Sequence, residues 1–378
     1  MKLRRVILLC FAASVCVFMT VLPVLAYDGQ PEEEDESALL EEIESKSGLD
    51  RLYGSLDDDT RELLDMSGSD GATVTDIMPE NIFSSFVFSA KKKMQAPIRA
   101  FAALFAIAAV LRICMGFENK EVSKTAETVG TLACAGIVMP PLLELFGAVK
   151  TAVDGAMIFL SGCIPVFSAL MAASGKVKGG VTFSAASVIA GSAVPFLLKT
   201  IFFPLLSVMT AFFIVSQITD SSLSKTADSI YGFLKWLLVF LVSIFFAVIS
   251  IQTAVNSSID AVTEKNVKLV ASSAIPVIGG ALGDSLAAIK GSVDVVKSGA
   301  GAFGILASVM IFMPVAAQTV MWIGACKLGE IVCDLFETKA VSGILKGMST
   351  VFKMLLAIII SVAAVCIVCA SAVLFSKG

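Results

Sequence analysis

Apolar residues in this chain are gathered into long unbroken runs, not spread at the spacing of a water-facing amphipathic helix or the alternation of a half-buried strand. Crossing the roughly 30 Å of a bilayer's hydrocarbon takes about 20 residues at about 1.5 Å each. Eight runs approach or reach that length: 97–115, 129–149, 156–173, 181–198, 201–218, 234–251, 300–325 and 354–375. A ninth stretch, 270–289, is broken by Gly279, Gly280, Gly283 and the charged Asp284, which suits a re-entrant or bundle-buried segment better than a lipid-facing one. In lipid every backbone N–H and C=O must be satisfied internally, and the alternating segments of an outer-membrane barrel are missing. The pattern therefore predicts an all-α, polytopic integral membrane bundle of seven to nine spans over 97–378.

The first 26 residues carry Lys2, Arg4 and Arg5, then an apolar run from Val6 to Val21, then Pro23 and the small-residue ending Val24-Leu25-Ala26. This is the layout of a secretory signal, with cleavage expected after Ala26. An uncleaved first span is the alternative, and it leaves the next segment on the same outer side. Residues 27–96 then read as an acidic extracytoplasmic region with short amphipathic helices. Leu39, Leu40 and Ile43 mark one apolar face, and Asp59 with Glu62 forms a capping-box pattern before Leu63 and Leu64.

Composition agrees with a lipid solvent: 57% of the 378 residues are hydrophobic and 16% charged, too little polar surface to cover a water-soluble globule of this size. Charge is unevenly placed. Residues 27–90 hold 18 acidic against 3 basic side chains, whereas 91–378 hold 14 against 22, so the net charge of -4 combines an acidic head with a mildly basic membrane body. Orientation stays open at one point: a cleaved signal puts Lys91, Lys92 and Lys93 outside, against the positive-inside tendency.

Histidine is absent, which removes the commonest neutral-pH general base and the commonest metal ligand together. The seven cysteines beyond the signal, Cys114, Cys134, Cys163, Cys326, Cys333, Cys366 and Cys369, sit in or beside apolar runs and read as small lipid- or core-facing residues. No Walker sequence, zinc spacing or Ser/Lys dyad occurs. No catalytic residue, metal or cofactor is expected.

Candidate functional positions are therefore ionisable residues within apolar runs, each costing about 2.5 to 3.5 kcal/mol at a helix centre unless paired or wet. Glu144, beyond Pro140-Pro141, and Asp284, among glycines, are the two candidates. Lys199 and Lys327 read instead as span-end residues that reach to the interface. Gly279, Gly280 and Gly283, with Gly301 and Gly304 in a Gly-x-Gly-x-x-Gly spacing from Gly299, mimic phosphate loops. Lacking a strand before them, they read as helix-packing positions.

A weak internal symmetry is also visible, with halves at about 154–252 and 265–375. Ile164-Pro165-Val166, Pro204 and Lys235 in the first are matched in order by Ile275-Pro276-Val277, Pro314 and Lys353 in the second. Duplicated halves with broken helices are frequent in transporters.

The order and spacing of Ile164-Pro165-Val166 through Ser174-Gly175, Ala247-Val248-Ile249-Ser250-Ile251-Gln252, and Lys268 followed by Ile275-Pro276-Val277-Ile278-Gly279-Gly280 resemble the stage III sporulation protein AE family of endospore-forming bacteria, along essentially the whole chain. The resemblance implies a multi-pass protein of the mother-cell-derived outer forespore membrane. There it would be a subunit of the transenvelope channel, or feeding tube, that supports late forespore gene expression. It implies as partners the other stage III sporulation A-operon membrane proteins and a forespore membrane protein. It supplies no catalytic residues. The competing reading is a stand-alone secondary transporter for a small solute, which broken helices and Glu144 or Asp284 would also suit.

Overall fold

The structure is a computed structural model that describes residues 94–115, 120–173, 184, 193–194, 196–219, 223–274 and 279–375, with the side chains of 251–298 and a few helix-end positions outside the description. The expected signal, most of the expected head and almost all of the sequence-read span 181–198 lie outside the described residues. Among those described, every element is helical: α1 Gln95–Met115, α2 Lys120–Ala173, a π turn Leu198–Phe202 running into α3 Phe203–Ile218, α4 Leu223–Ala274, α5 Gly279–Leu335 and α6 Lys339–Phe375.

Six of these helical stretches are long and apolar enough to cross a membrane: Gln95–Cys114, Ser123–Met171, Leu198–Ile218, Leu223–Ala247, Gly299–Leu335 and Lys339–Ser371. Among the described residues two of the expected spans are joined into one element. The runs 129–149 and 156–173 are not two crossings joined by a turn but one helix, α2, whose 54 residues amount to about 80 Å. The interval that separates them, Lys150 to Gly155, is polar but contains no proline and no chain reversal, so charge interrupted the apolar run without ending the helix. The prolines that could have broken it, Pro140, Pro141 and Pro165, stand inside apolar stretches. There a helix tolerates them because neighbouring helices and local hydroxyls compensate for the lost N–H.

The core is the hairpin of α5 and α6, which pack along their length. Helix α2 lies against both, α1 against α2 and α5, and α3 and α4 against α6. Phe167, Phe202, Leu206, Met209, Met310 and Phe352 are sealed at its centre. The outside is equally apolar: Ile113, Ile158, Ile331 and Leu335 are each more than 60% exposed. A water-soluble protein does not carry apolar surface on that scale, whereas a lipid-facing one requires it.

Hydroxyl side chains ride inside these helices by bonding backward. Thr131, Ser161, Thr210, Ser308 and Thr319 each donate to the carbonyl four residues earlier, at 2.6 to 2.8 Å. The α5–α6 turn is a Schellman motif, with Thr338 N–H donating to Cys333 O at 2.9 Å and Glu337 N–H to Asp334 O at 3.1 Å. Glu337 occupies its left-handed position at φ 59°, a place usually given to glycine. Its carboxylate accepts from the Arg112 guanidinium at 2.8 Å, tying the end of α1 to this turn.

Candidate functional site

Pro204 has no N–H to give to the carbonyl four residues before it, and its ring crowds that carbonyl, so the helix entering α3 cannot keep regular geometry. It widens instead into the π turn Leu198–Phe202, where the Phe203 N–H reaches back five residues to Leu198 O. Single π turns within α-helices recur at functional positions because they re-aim the side chains they carry. Here the turn carries Lys199, whose Nζ lies 2.8 Å from Asp154 Oδ1 on α2.

Both side chains are about 40% exposed, while Leu198 and Phe202 on the turn, and Val153 and Ala156 beside the aspartate, are buried. The pair sits at the rim of the packed core. Each charge cancels the other's cost in an apolar setting. Lys199, read from the sequence as a span-end residue reaching to the interface, is held here by a carboxylate. Asp154 was not among the sequence candidates. Its signal was present, an acid isolated within a long apolar helix, but nothing in sequence spacing pairs it with a lysine so far along the chain.

Lys327 is also held, by an ion pair with Glu330 one turn on, whose side chain is 16% exposed. Lys353 on α6 lies within electrostatic range of both. Just above this group Trp322 stacks on Phe352 with ring centroids 6.1 Å apart. Among the described residues Trp322 Nε1 and Ser349 Oγ, on the two helices of the core hairpin, are buried without a hydrogen-bond partner.

Glu144 lies elsewhere, on the outer face of α2 next to the exposed Leu143, without a partner among the described residues. A side chain added at Gly136 or Gly147, on the same outward side, would meet open space. Asp284, Gly279, Gly280 and Gly283 stand in the first two turns of α5, with their side chains outside the description. Gly301 is buried. At Gly304 an added Cβ would lie 3.0 Å from Ala370 Cβ and 3.1 Å from the Phe167 ring, where α5, α6 and α2 meet.

Four closely packed glycines, Gly130, Gly329, Gly343 and Gly347, escaped the sequence reading. Gly343 and Gly347, one turn apart on α6, face α3: a Cβ at Gly347 would come 2.7 Å from Phe213, and one at Gly343 would collide with the amide end of Gln217. Their Gly-x-x-x-Gly spacing was the available signal. Six of the seven cysteines are buried free thiols, Cys114 being partly exposed. No cluster of metal-ligating side chains occurs among the described residues.

This all-helical chain with an apolar exterior was compared with known proteins, and the family model described as stage III sporulation protein AE matches residues 60–377. The chain belongs to that family. The match takes in every helix described above and begins at Thr60, so it leaves out the signal and the first half of the acidic head, which the sequence resemblance had included. Curated proteins and solved structures gave no match. Membership in the stage III sporulation AE family implies a role at stage III of sporulation, and the six long apolar helices suggest a membrane protein.

Proposed function

We propose that this protein is a multi-pass subunit of the mother cell–forespore transenvelope channel complex, in the mother-cell-derived outer forespore membrane, and that endospore formation and late forespore gene expression require it. The single observation that carries the proposal is the family match over 60–377, laid on a bundle of long apolar helices. The N-terminal head faces the extracytoplasmic side, between the two membranes. The partners are the other stage III sporulation A-operon membrane proteins and a forespore membrane protein.

The protein works without catalysis. What it offers is packing surface and an outward carboxylate, Glu144, on a helix face left open at Gly136 and Gly147. Helix association in lipid depends on close approach at small residues and on interhelical hydrogen bonds. A carboxylate on such a face, without a partner among the described residues, is stabilised when a neighbouring helix brings a donor. The supporting experiment is deletion of the gene with complementation: wild type restores heat-resistant spores, and Glu144→Leu inserts normally but fails to restore them.

One observation favours a second reading, a small-solute permease. Lys199 and Asp154 at a π turn beside Pro204 resemble the broken-helix ion sites of transporters. Uptake of a solute by the purified protein in liposomes would select that reading.

A further inference from the structure

The contacts between helices fix the height of each charged side chain along the bundle axis. Gly304 of α5 lies against Ala370 of α6 and Phe167 of α2. Further along, Trp322 stacks on Phe352, and near the α5–α6 turn Gly329 lies against Leu345 and against Leu104 of α1. Helix α2 runs back beside α5 until Gly130 meets Leu111, and α3 passes Gly347 of α6 with Phe213. At about 1.5 Å per residue, Arg99, Lys150 and Lys353 then stand near the height of Trp322. Lys235 joins them, because α4 begins just after α3 ends and packs back along it. The four basic side chains lie within about 8 Å of one another along the axis. All are exposed or half-exposed, and none has an ion-pair partner among the described residues.

Charge is unevenly divided about this level. On the side away from the α5–α6 turn the described helices comprise 151–173, 198–204, 236–250, 299–318 and 356–371. Their only charged side chains are Asp154 and Lys199, which neutralise each other. The α5 portion, 299–318, is about 30 Å long, the thickness of a bilayer's hydrocarbon. On the turn side Glu144, Lys225, Asp228, Lys327, Glu330 and Lys346 fall within a similar narrow height. A hydrocarbon slab centred there would hold all six near helix centres, where charge is costly unless paired or wet. Leu132 and Ile331 are exposed on that side too, but protein can cover apolar surface, whereas charge at this density excludes hydrocarbon.

A second observation marks the same level. Trp236, next to Lys235, is 54% exposed and stacks on the exposed Phe240, with ring centroids 5.3 Å apart and planes 9° from parallel. Tryptophan concentrates at headgroup height, and lysines beside it reach into the polar layer.

We propose that Arg99, Lys150, Lys235 and Lys353, with Trp236, form a girdle that binds the anionic phospholipid headgroups of one leaflet. The hydrocarbon lies on the Asp154–Lys199 side of the girdle. Helix α1, the first half of α2 and the α5–α6 turn stand up to about 25 Å clear of it. Helix α1 is thus long and apolar enough to cross but does not, because its height puts it beside the charged ends of α5 and α6. The Asp154–Lys199 pair falls just inside the hydrocarbon, where a charge needs its partner. The girdle follows from helix heights and charge alone, so it holds for a subunit and for a permease.

The test uses the full-length protein. In nanodiscs, Trp322→Phe leaves Trp236 as the single tryptophan, and lipids brominated near the headgroup should quench it more than lipids brominated near the chain ends. In a Cys114→Ser background, which sets the baseline, a spin label at Ile158→Cys should collide more with oxygen, which concentrates in hydrocarbon, than with a water-soluble nickel chelate. A label at Phe105→Cys on α1, also an exposed position, should not. In micelles doped with phosphatidylglycerol, native mass spectrometry should show Lys150→Gln/Lys353→Gln retaining less of that lipid than wild type, by up to about fivefold for each side chain removed. Lys339→Gln, at the turn, should retain as much as wild type. Stronger quenching from the chain ends, or an oxygen-dominated label at Phe105, would put the boundary elsewhere and overturn the girdle. Equal phosphatidylglycerol retention in all three proteins would overturn the headgroup binding.

Discussion

The ammonium of Lys199 lies 2.8 Å from a carboxylate oxygen of Asp154, joining the widened turn before α3 to the polar interval between the two apolar runs of α2. Removing one partner leaves the other charge at the rim of an apolar core, so Asp154→Asn and Lys199→Met should each destabilise the protein by about 1 to 3 kcal/mol. The exchanged pair Asp154→Lys/Lys199→Asp should recover most of that loss. Thermal unfolding in mild detergent reads it: two lowered midpoints and one restored. Equal losses in all three variants would mean that the contact is incidental.

Close packing of α6 on α3 depends on Gly343 and Gly347. Gly347→Val would drive a side chain into Phe213 and should cost about 1 to 3 kcal/mol, as overpacked sites do. Gly347→Val with Phe213→Ala should recover part of it. Gly147→Val, on the open face of α2, should leave the unfolding midpoint within a degree or so of wild type.

The α5–α6 turn sets two small terms against each other. A left-handed conformation costs a non-glycine residue about 1 to 2 kcal/mol, and an exposed ion pair returns about 0 to 1 kcal/mol. Glu337→Gly should therefore be neutral or stabilising, although it removes the bond to Arg112. Glu337→Val keeps the strain and loses the bond, so it should lower the unfolding midpoint. The ranking of the two midpoints decides.

The cysteines give a probe of the packed bundle. Cys134, Cys163, Cys326, Cys333, Cys366 and Cys369 are buried, and Cys114 is partly exposed near the end of α1. In native nanodiscs a water-soluble maleimide should label Cys114 first and the other six only after denaturation. Mass spectrometry of the labelled peptides would show the order.

Run length in the sequence was enough to read the class of fold, because bilayer thickness leaves a long apolar segment few alternatives. It was not enough to show that 129–149 and 156–173 share one helix. Lys150 and Asp154 broke the hydropathy of α2 without breaking its backbone, which depends on hydrogen bonding and not on polarity. The pairing of Lys199 with Asp154 was hidden for a different reason: tertiary contact, not local pattern, brings them together. Gly304 was legible as a packing position through its spacing, and the same reasoning applied to Gly343 and Gly347 would have found them. Glu144 was legible as an ionisable residue in an apolar run, but its outward position depends on which face of α2 the rest of the bundle covers.

Glu144→Leu offers a sharp contrast with the Asp154 variants. The side chain is exposed and without a partner among the described residues, so the substitution should not lower the unfolding midpoint in detergent. If α2 presents this face to another membrane protein, the same variant should lose co-purifying partners and heat-resistant spores. A stable variant with full sporulation would leave Glu144 as an interfacial charge.

The central claim, that the protein acts as a subunit, is tested most directly by affinity purification of the full-length chain from sporulating cells after engulfment, in a mild detergent, with the bound proteins identified by mass spectrometry. The account predicts that the other stage III sporulation A-operon membrane proteins and a forespore membrane protein come down with the wild type, and that Gly301→Leu, at a buried helix-packing position, inserts but loses them. Recovery of the wild-type protein alone, together with solute uptake when it is reconstituted by itself in liposomes, would contradict the account.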